Sequence, residues 1–290
     1  MKKLLITGAN GQLGRAIRKK YEANTEIEII GTDVVEMDGI CMMDITDVDA
    51  VIKKVEEIQP YAIINCAAHT NVDGCEKDWD NAYKINAIGP RNLSIAANKV
   101  NAKLVHISTD YVFPGDGEKP YTEFDTPSPV SAYGKTKLEG ENFVKQFADK
   151  YFIIRTAWLY GDGKNFVKTM LRLSETHDEI NVVCDQLGSP TSTRVLADII
   201  DELVWTENYG VFHGTCEGVC SWADFTEEIF RLAGKTTKVN HITSDEYAKL
   251  NPNSAKRPAY SVLDNYMLKL TTNHMADDWK KAIEEYIREI

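Results

Sequence analysis

The chain has 290 residues, a formal net charge of −11 at pH 7 and an apolar fraction of 43%. This length suits one large domain or two closely joined ones, and the composition is that of an ordinary globular protein. The acidic charge argues against nucleic acid or an anionic membrane surface as the main partner. No apolar stretch has the length of a membrane span, so we expect a soluble protein of the cytoplasm.

The six cysteines lie at positions 41, 66, 75, 184, 216 and 220 and show no repeated spacing of the kind that binds metals. We therefore expect reduced, mostly packed thiols and no metal-ligand set, with a zinc site as a remote alternative. The sequence leaves open any requirement for Mg²⁺ and the choice between a monomer and a homodimer.

The chain begins with a predicted strand, a glycine-rich turn and a predicted helix. Residues 3–7 are an apolar run typical of a buried parallel strand, and residues 15–21 follow as helix. Glycines in the turn, spaced G-x-x-G-x-x-G, let the backbone approach a pyrophosphate, and the helix N-terminus supplies amide donors. The predicted cofactor contacts in this turn are Gly8, Gly11, Gln12, Leu13 and Gly14.

Asp33 ends the second predicted strand, residues 28–32. A carboxylate about twenty residues after the glycines accepts hydrogen bonds from the adenosine ribose and repels a 2′-phosphate. No Arg or Lys follows in residues 34–37. We therefore expect NADH to be favoured, with NADPH as a second, weaker cofactor.

Further predicted cofactor contacts lie beyond the second and third strands, at Asp44, Ile45, Ala67 and Ala68. Asp44 precedes a helix predicted over residues 47–59. Its side chain either caps this helix or contacts the adenine. The two alanines follow the strand predicted at residues 61–65. Small side chains at the carboxyl end of a parallel strand leave room for a cofactor.

Two polar positions follow in the next helix and strand. A helix predicted over residues 80–101 carries Asn86 in its middle, where an asparagine is usually a surface residue. The strand at residues 103–107 runs into Thr109 and Asp110. Thr109 can donate a hydrogen bond to a substrate carbonyl oxygen, and ordinary hydrogen bonding at a strand end is the alternative.

Tyr133 and Lys137 lie four residues apart in a helix for which Ser131 is the predicted N-cap. The pKa of a free tyrosine is about 10, which is too high for easy proton transfer at neutral pH. An ammonium close by lowers that pKa and makes the phenol a usable acid or base. The spacing alone also fits a solvated helix face.

In their order and spacing, these motifs resemble those of the extended short-chain dehydrogenases/reductases. The resemblance implies that Tyr133 exchanges a proton with the substrate, while Lys137 lowers its pKa and holds the nicotinamide ribose. It also implies that Thr109 polarises the carbonyl group and that Asn86 supports a water-linked proton path.

The fold implied is α/β, with a Rossmann-type doubly wound parallel sheet in residues 1–160. Residues 161–290 would form a smaller α/β substrate-binding domain, with an interleaved boundary. The whole chain resembles the nucleotide-sugar 4-ketoreductases of the same family. The substrate contacts implied by this resemblance are Thr109, Asp110, Trp158, Asn165, Phe166, Asp185, Gln186, Gly188 and Arg257. Trp158 would face the sugar, and Arg257 either binds the diphosphate or forms a surface pair.

The implied activity is NAD(P)H-dependent reduction of the C4 ketone of dTDP-4-dehydro-6-deoxy-L-lyxo-hexose to dTDP-L-rhamnose. Another 4-ketoreductase, epimerase or dehydratase acting on nucleotide sugars is one alternative, and a non-catalytic, cofactor-binding regulatory subunit is another. A dehydratase is disfavoured because Tyr111 stands where its second carboxylate would follow Thr109 and Asp110. The intact Thr109, Tyr133 and Lys137 disfavour a regulatory subunit.

Overall fold

The computed structural model describes residues 1–252, 254–272 and 274–290. The strands are β1 Lys2–Thr7, β2 Ile27–Asp33, β3 Ile40–Met42, β4 Ala62–Asn65, β5 Lys103–Thr109, β6 Tyr151–Thr156, β7 Leu159–Tyr160, β8 Glu179–Val183, β9 Leu187–Gly188, β10 Thr191–Ser192, β11 Gly210–His213, β12 Cys220–Ser221 and β13 Lys238–Ile242. The helices are α1 Gln12–Tyr21, α2 Val48–Ile58, α3 Val72–Lys77, α4 Trp79–Tyr83, α5 Gly89–Lys99, α6 Ala132–Phe147, α7 Phe166–Ser174, α8 Thr193–Val204, α9 Trp222–Leu232, α10 Ser244–Leu250, α11 Tyr266–Thr272 and α12 Trp279–Glu289. Within the described ranges, no helix is long and apolar enough to cross a membrane.

Seven strands form one parallel sheet in the order β11-β6-β5-β4-β1-β2-β3. The chain winds outward from β1 to β3 on one side and from β4 to β6 on the other, so the order reverses between β1 and β4. Open α/β sheets bind ligands beyond the carboxyl ends of the strands at such a reversal. The predicted Rossmann-type, doubly wound sheet is confirmed.

Helices cover both faces of this sheet. Leu4 and Ile6 of β1 belong to the core that includes α1 and α8, whereas Leu5 belongs to the core that includes α2, α5 and α6. Successive strand side chains point to opposite faces. Because both faces are buried, a continuous apolar run is stable in this strand.

Three two-stranded sheets form a smaller part of the molecule, pairing β7 with β10, β8 with β13, and β9 with β12. Helix α9 packs against this part and against α7 and α12. The division at residue 160 stays a prediction. Two elements beyond that residue belong with the large sheet. Strand β11 forms one edge of it, and helix α8 packs on it and on α1.

The helix predicted over residues 80–101 is confirmed in outline, and it includes a π-helical turn that the sequence did not predict. The chain forms α4, a π-helical turn over Lys84–Ile88, and then α5. Pro90 explains the wider π-helical turn, because it has no amide hydrogen and its ring would clash with the carbonyl of residue 86 in a regular α-helix. The widened turn lies against Gly140 of α6, where a Cβ would come within 2.2 Å of the carbonyl oxygen of Asn86.

Side-chain caps define two helix starts. Ser131 caps α6 as predicted, accepting a hydrogen bond from the amide of Gly134 at 3.1 Å. The capping role considered for Asp44 is wrong, because Asp47 caps α2 by accepting two amide hydrogen bonds at 3.1 Å. The exposed Asp44 carboxylate instead accepts the amide of Thr46 at 2.8 Å. Helix α1 begins at Gln12, earlier than predicted.

Candidate active site

The glycine turn between β1 and α1 lies at the carboxyl end of β1, beside the point where the strand order reverses. Gly8 has a φ of +64°, and a Cβ there would lie 2.7 Å from the amide nitrogen of Ala67. A Cβ on Gly14 would lie 2.4 Å from the carbonyl oxygen of Gly8. Only glycine fits at these positions. Because Gly11 has no side chain with which to cap α1, the first-turn amides of α1 can bind a pyrophosphate.

Asp33 is fixed beside this turn by the backbone. Its Oδ2 accepts the amide of Asn10 at 3.0 Å, and its Oδ1 accepts the amide of Val34 at 2.8 Å. Each carboxylate oxygen retains a lone pair that can accept a hydroxyl. The turn and the carboxylate therefore fit a dinucleotide, with the ribose diol at Asp33.

The other predicted cofactor residues divide into two groups. Leu13 and Ile45 are buried core side chains, so only their backbone atoms can contact a cofactor. Gln12, Ala67 and Ala68 are half-buried at the ends of α1 and β4. This second group leaves space at the carboxyl edge of the sheet.

Thr109 and Tyr133 meet where β5 ends and α6 begins. Helix α6 approaches closely because Gly134 has no Cβ; one there would lie 2.1 Å from the carbonyl oxygen of Tyr111. The rings of Tyr111 and Tyr133 meet edge to face, with 5.4 Å between their centroids. Lys137 follows one helical turn later on the same face of α6. The structure therefore brings the three predicted catalytic residues together.

The expected effect of Lys137 on Tyr133 is wrong in this structure. Burial raises the pKa of Tyr133, and the neighbouring Thr109 hydroxyl opposes only part of that rise. Nζ of Lys137 donates instead to the carbonyl oxygen of Ile107 at 2.6 Å. Burial lowers the pKa of Lys137 to about 8. The ammonium is thus anchored to β5, and the phenol keeps its proton.

Asn86 is fully buried, and both ends of its amide are engaged. Oδ1 accepts the amide of His69 at 2.8 Å, while Nδ2 donates to the carbonyl oxygen of His69 at 3.1 Å and to Oγ1 of Thr136 at 3.2 Å. The side chain therefore ties the segment before α3 to α6. A water-linked proton path through Asn86 stays a prediction.

Asp110 lies beside the catalytic group with only 4% of its surface exposed. Its Oδ1 accepts the hydroxyl proton of Thr109 at 2.9 Å. Burial raises the pKa of Asp110 to about 6, and the hydroxyls of Ser261 and Thr109 oppose that rise. The carboxyl group can therefore change its charge in mildly acidic solution.

Trp158 has a φ of +50°, in the left-handed region that side chains other than glycine rarely adopt. Its ring stacks on Trp222, with 3.5 Å between centroids and 8° between the planes. A Cβ on Gly188 would lie 2.4 Å from Cε2 of Trp158. Strained backbone positions are enriched at ligand sites, and two neighbours hold this ring in place.

Asn165 and Phe166 have packing roles at the start of α7. Oδ1 of Asn165 caps the helix by accepting the amide of Lys168 at 3.0 Å, and Nδ2 donates to the hydroxyl of Tyr286 at 2.9 Å. The ring of Phe166 packs on Trp222, with 4.5 Å between centroids. These contacts link α7 to the aromatic stack.

Asp185 and Gln186 both bind the start of α10. The Asp185 carboxylate accepts the amide of Ser244 at 2.9 Å and its hydroxyl at 2.7 Å. Nε2 of Gln186 donates to the same hydroxyl at 3.0 Å. Their predicted contact with the nucleotide stays a prediction.

Arg257 pairs with Asp73 at the start of α3, with 3.5 Å between Nη2 and Oδ2. The other carboxylate oxygen of Asp73 accepts the amide of Ala255 at 2.8 Å. Burial raises the pKa of Tyr111, and the Arg257 charge opposes that rise. Arg257 therefore lies near the catalytic group, although its guanidinium forms a partly exposed ion pair with Asp73.

Sequence reasoning missed Gly134 and Trp222. Glycine inside a helix costs about 1 kcal/mol relative to alanine, and this was a usable signal of close packing at Gly134. Trp222 carries no comparable local signal, because its partner Trp158 lies far away in the sequence.

All six cysteines are free; three of them are buried, two are half-buried and Cys41 is exposed. Among the residues that the structure describes, no group of three or more His, Cys, Asp or Glu side chains could hold a metal ion.

The sheet, the glycine turn and the Thr109–Tyr133–Lys137 group define a nicotinamide-dependent reductase of the short-chain type. The family described as RmlD substrate binding domain matches residues 1–290, so the chain belongs to this family. The family-level resemblance is thereby confirmed.

Several relatives are similar over their full lengths. A dTDP-4-dehydrorhamnose reductase of Aggregatibacter actinomycetemcomitans is 38% identical over 297 residues, covering 98% of both chains. The solved structure of a dTDP-4-dehydrorhamnose reductase of Clostridium acetobutylicum is 57% identical, covers 99% of both chains and has a TM-score of 0.93. The Bacillus anthracis enzyme of the same name, solved in complex with NADP, is 43% identical with a TM-score of 0.92, covering 100% of this chain and 99% of its own.

Proposed function

We propose that the protein reduces the C4 ketone of dTDP-4-dehydro-6-deoxy-L-lyxo-hexose (dTDP-4-dehydro-β-L-rhamnose) to dTDP-L-rhamnose, with NAD(P)H as the reductant. The observation that carries this proposal is the convergence of Thr109, Tyr133 and Lys137 beside the dinucleotide-binding turn. Full-length relatives named dTDP-4-dehydrorhamnose reductase support the same reaction.

Reduction of a ketone needs a hydride at carbon and a proton at oxygen. Bound NAD(P)H supplies the hydride. Tyr133 supplies the proton, and its raised pKa suits a donor that must remain protonated at neutral pH. Thr109 donates a hydrogen bond to the same oxygen as negative charge develops there. Lys137, whose ammonium is anchored to β5, is assigned to the nicotinamide ribose.

Cofactor binding is assigned to the glycine turn, Asp33 and Lys137. Asp33 favours NADH, because its carboxylate would repel a 2′-phosphate. NADP in the Bacillus anthracis relative supports acceptance of NADPH as well. We therefore expect a preference for NADH without exclusion of NADPH.

The sugar is assigned to the space between Asp110 and Trp158. The stack on Trp222 and the close contact with Gly188 support a fixed ring at Trp158. Arg257 is assigned to the diphosphate, for which it would exchange its contact with Asp73.

Four further residues were predicted to contact the nucleotide side, namely Asn165, Phe166, Asp185 and Gln186. Their contacts support an indirect role, because they hold the starts of α7 and α10. We assign to them the placement of these helices around the nucleotide.

Two of the alternative functions, a dehydratase and a regulatory subunit, are disfavoured by residues of the site. A dehydratase needs a second carboxylate after Asp110, and Tyr111 fills that place with its ring against Tyr133. A regulatory subunit would not need the buried Lys137 and its bond to β5.

We further propose a cytoplasmic enzyme that acts as a monomer or homodimer. The six free thiols support a reducing compartment.

The test is incubation of the purified protein with NADH or NADPH and a panel of dTDP-, UDP- and GDP-linked 4-keto-6-deoxy sugars. We expect oxidation of the cofactor with the dTDP sugar and loss of cofactor from the protein on gel filtration. Turnover of a different sugar alone would contradict the substrate, whereas tightly retained NAD without net oxidation would indicate an epimerase.

A further inference from the structure

Glu141 is a fully buried carboxylate one helical turn after Lys137 on α6. Its Oε1 accepts hydrogen bonds from Oγ of Ser108 at 2.6 Å and from Nε of Arg155 at 2.9 Å. Its Oε2 accepts a second bond from Arg155, from Nη2 at 2.7 Å. Ser108 and Arg155 face each other across β5 and β6. One side chain thus joins α6 to two neighbouring strands.

These bonds lie directly behind the catalytic group. Ser108 precedes Thr109, and the carbonyl oxygen of Ile107 accepts the bond from Lys137. Two successive residues of β5 are therefore bonded to two side chains of α6, one turn apart. This double attachment fixes the position of α6 relative to the end of β5.

Stability alone does not account for this arrangement. Removing two charges from water offsets much of the attraction between them, so a buried ion pair is weak evidence for a stabilising role. The bidentate pair with Arg155 holds the Glu141 carboxylate one helical turn from Lys137, where its negative charge acts on the lysine ammonium.

We propose that Glu141 is a positioning residue for the reductase reaction. It fixes Lys137 against the end of β5 and supplies the negative charge that keeps this buried side chain an ammonium. The inference rests on the proposed function only for the chemical role of Lys137.

The surrounding charges agree with this role. Burial lowers the pKa of Lys137, and Glu141 is the main group that opposes the fall. Two other groups face Lys137, namely Cys66 and His106. Burial raises the pKa of the Cys66 thiol to about 12 and lowers the pKa of His106 well below its ordinary value, so both are neutral near pH 7.

Glu141 is itself held in the ionised form. Burial would raise its pKa, but Arg155 and Ser108 bring that pKa below its ordinary value, with help from Lys145 at 3.5 Å. The remaining neighbour is His213 on β11, whose pKa burial lowers to about 3, so it is neutral. A carboxylate is therefore present beneath Lys137 across the neutral range.

The test compares Glu141→Gln with Glu139→Gln, which removes the same charge from a half-buried residue of α6. The dissociation constant of NADH is measured by fluorescence from about pH 6 to about pH 9. In the wild type, binding should weaken as the pH rises through about 8, the pKa of Lys137. In Glu141→Gln this weakening should begin about one pH unit lower, while Glu139→Gln should match the wild type. A folded Glu141→Gln protein with the wild-type pH profile would overturn the proposal.

A second variant guards against misfolding of the first. Replacing both Glu141 and Arg155 with Met removes the whole ion pair, and such apolar replacements are often neutral or stabilising. The folded double variant should also lose NADH at lower pH than the wild type, and an unchanged profile would contradict the proposal. NADH binding needs no sugar, so a protein that shows the shift but reduces no 4-keto sugar would refute the proposed function alone.

Discussion

The hydroxyl of Thr109 donates its proton to Oδ1 of Asp110 across 2.9 Å. While Asp110 is ionised, this bond competes with any substrate oxygen for the same proton. Burial raises the pKa of Asp110 to about 6, so its charge opposes folding at neutral pH. Asp110 thus lowers the free energy of unfolding at neutral pH, and it lies beside the group to which the reaction is assigned.

We predict that Asp110→Asn stabilises the protein at neutral pH. The unfolded chain releases the Asp110 proton near the ordinary pKa of 3.8, whereas the folded protein retains it to about pH 6. The free energy of unfolding of the wild type therefore falls as the pH rises from 3.8 to about 6. Above this range the ionised Asp110 lowers it by at most about 3 kcal/mol. Urea unfolding should show an advantage for Asp110→Asn that grows by about 1 kcal/mol between about pH 5 and about pH 8. An advantage independent of pH would contradict the shifted pKa.

Tyr133→Phe should lower the turnover number by at least ~10²-fold, because it removes the proposed proton donor while keeping the ring. The affinity for NADH should change little. The matched control is Tyr111→Phe, which removes the hydroxyl of the ring that meets Tyr133 edge to face and should cost less than about tenfold. Near wild-type turnover in Tyr133→Phe would show that another group protonates the sugar.

Trp222→Ala should raise KM for the nucleotide sugar by about threefold to tenfold, because the stack that holds Trp158 is lost. Trp222→Phe retains an aromatic face and should lie between this variant and the wild type. The dissociation constant of NADH should be the same in all three proteins. An unchanged KM in Trp222→Ala would show that Trp158 does not need this support or does not contact the sugar.

The wild type should prefer NADH over NADPH by about tenfold to a hundredfold in kcat/KM, because Asp33 repels a 2′-phosphate. Asp33→Ser should relax this preference by admitting NADPH without abolishing the use of NADH. Both comparisons need a fixed ionic strength, since salt screens the repulsion. Equal efficiency of the two cofactors in the wild type would refute the role of Asp33.

The local parts of the fold and the site could be predicted from the sequence. The turn from Gly8 to Gly14, the cap at Ser131 and the spacing of Tyr133 and Lys137 depend on neighbours within a few residues. Backbone conformation and helix periodicity determine these features, and both can be recognised in a short stretch.

The parts that could not be predicted depend on distant partners. The π-helical turn before Pro90 lies against Gly140 of another helix, and the stack of Trp158 on Trp222 joins separate elements. The predicted lowering of the Tyr133 pKa was wrong for a related reason. Lys137 is close to Tyr133 along the helix, but its ammonium is bonded to the carbonyl of Ile107 on another element, and burial raises the pKa of Tyr133.

The most direct test of the proposed reaction uses NADH that carries deuterium at both hydrogen positions on C4 of the nicotinamide, with dTDP-4-dehydro-β-L-rhamnose as the substrate. NMR of the product should show dTDP-L-rhamnose with deuterium on C4 of the sugar, formed in step with oxidised cofactor. An unchanged C4 ketone, or a product without deuterium at C4, would contradict the proposed function.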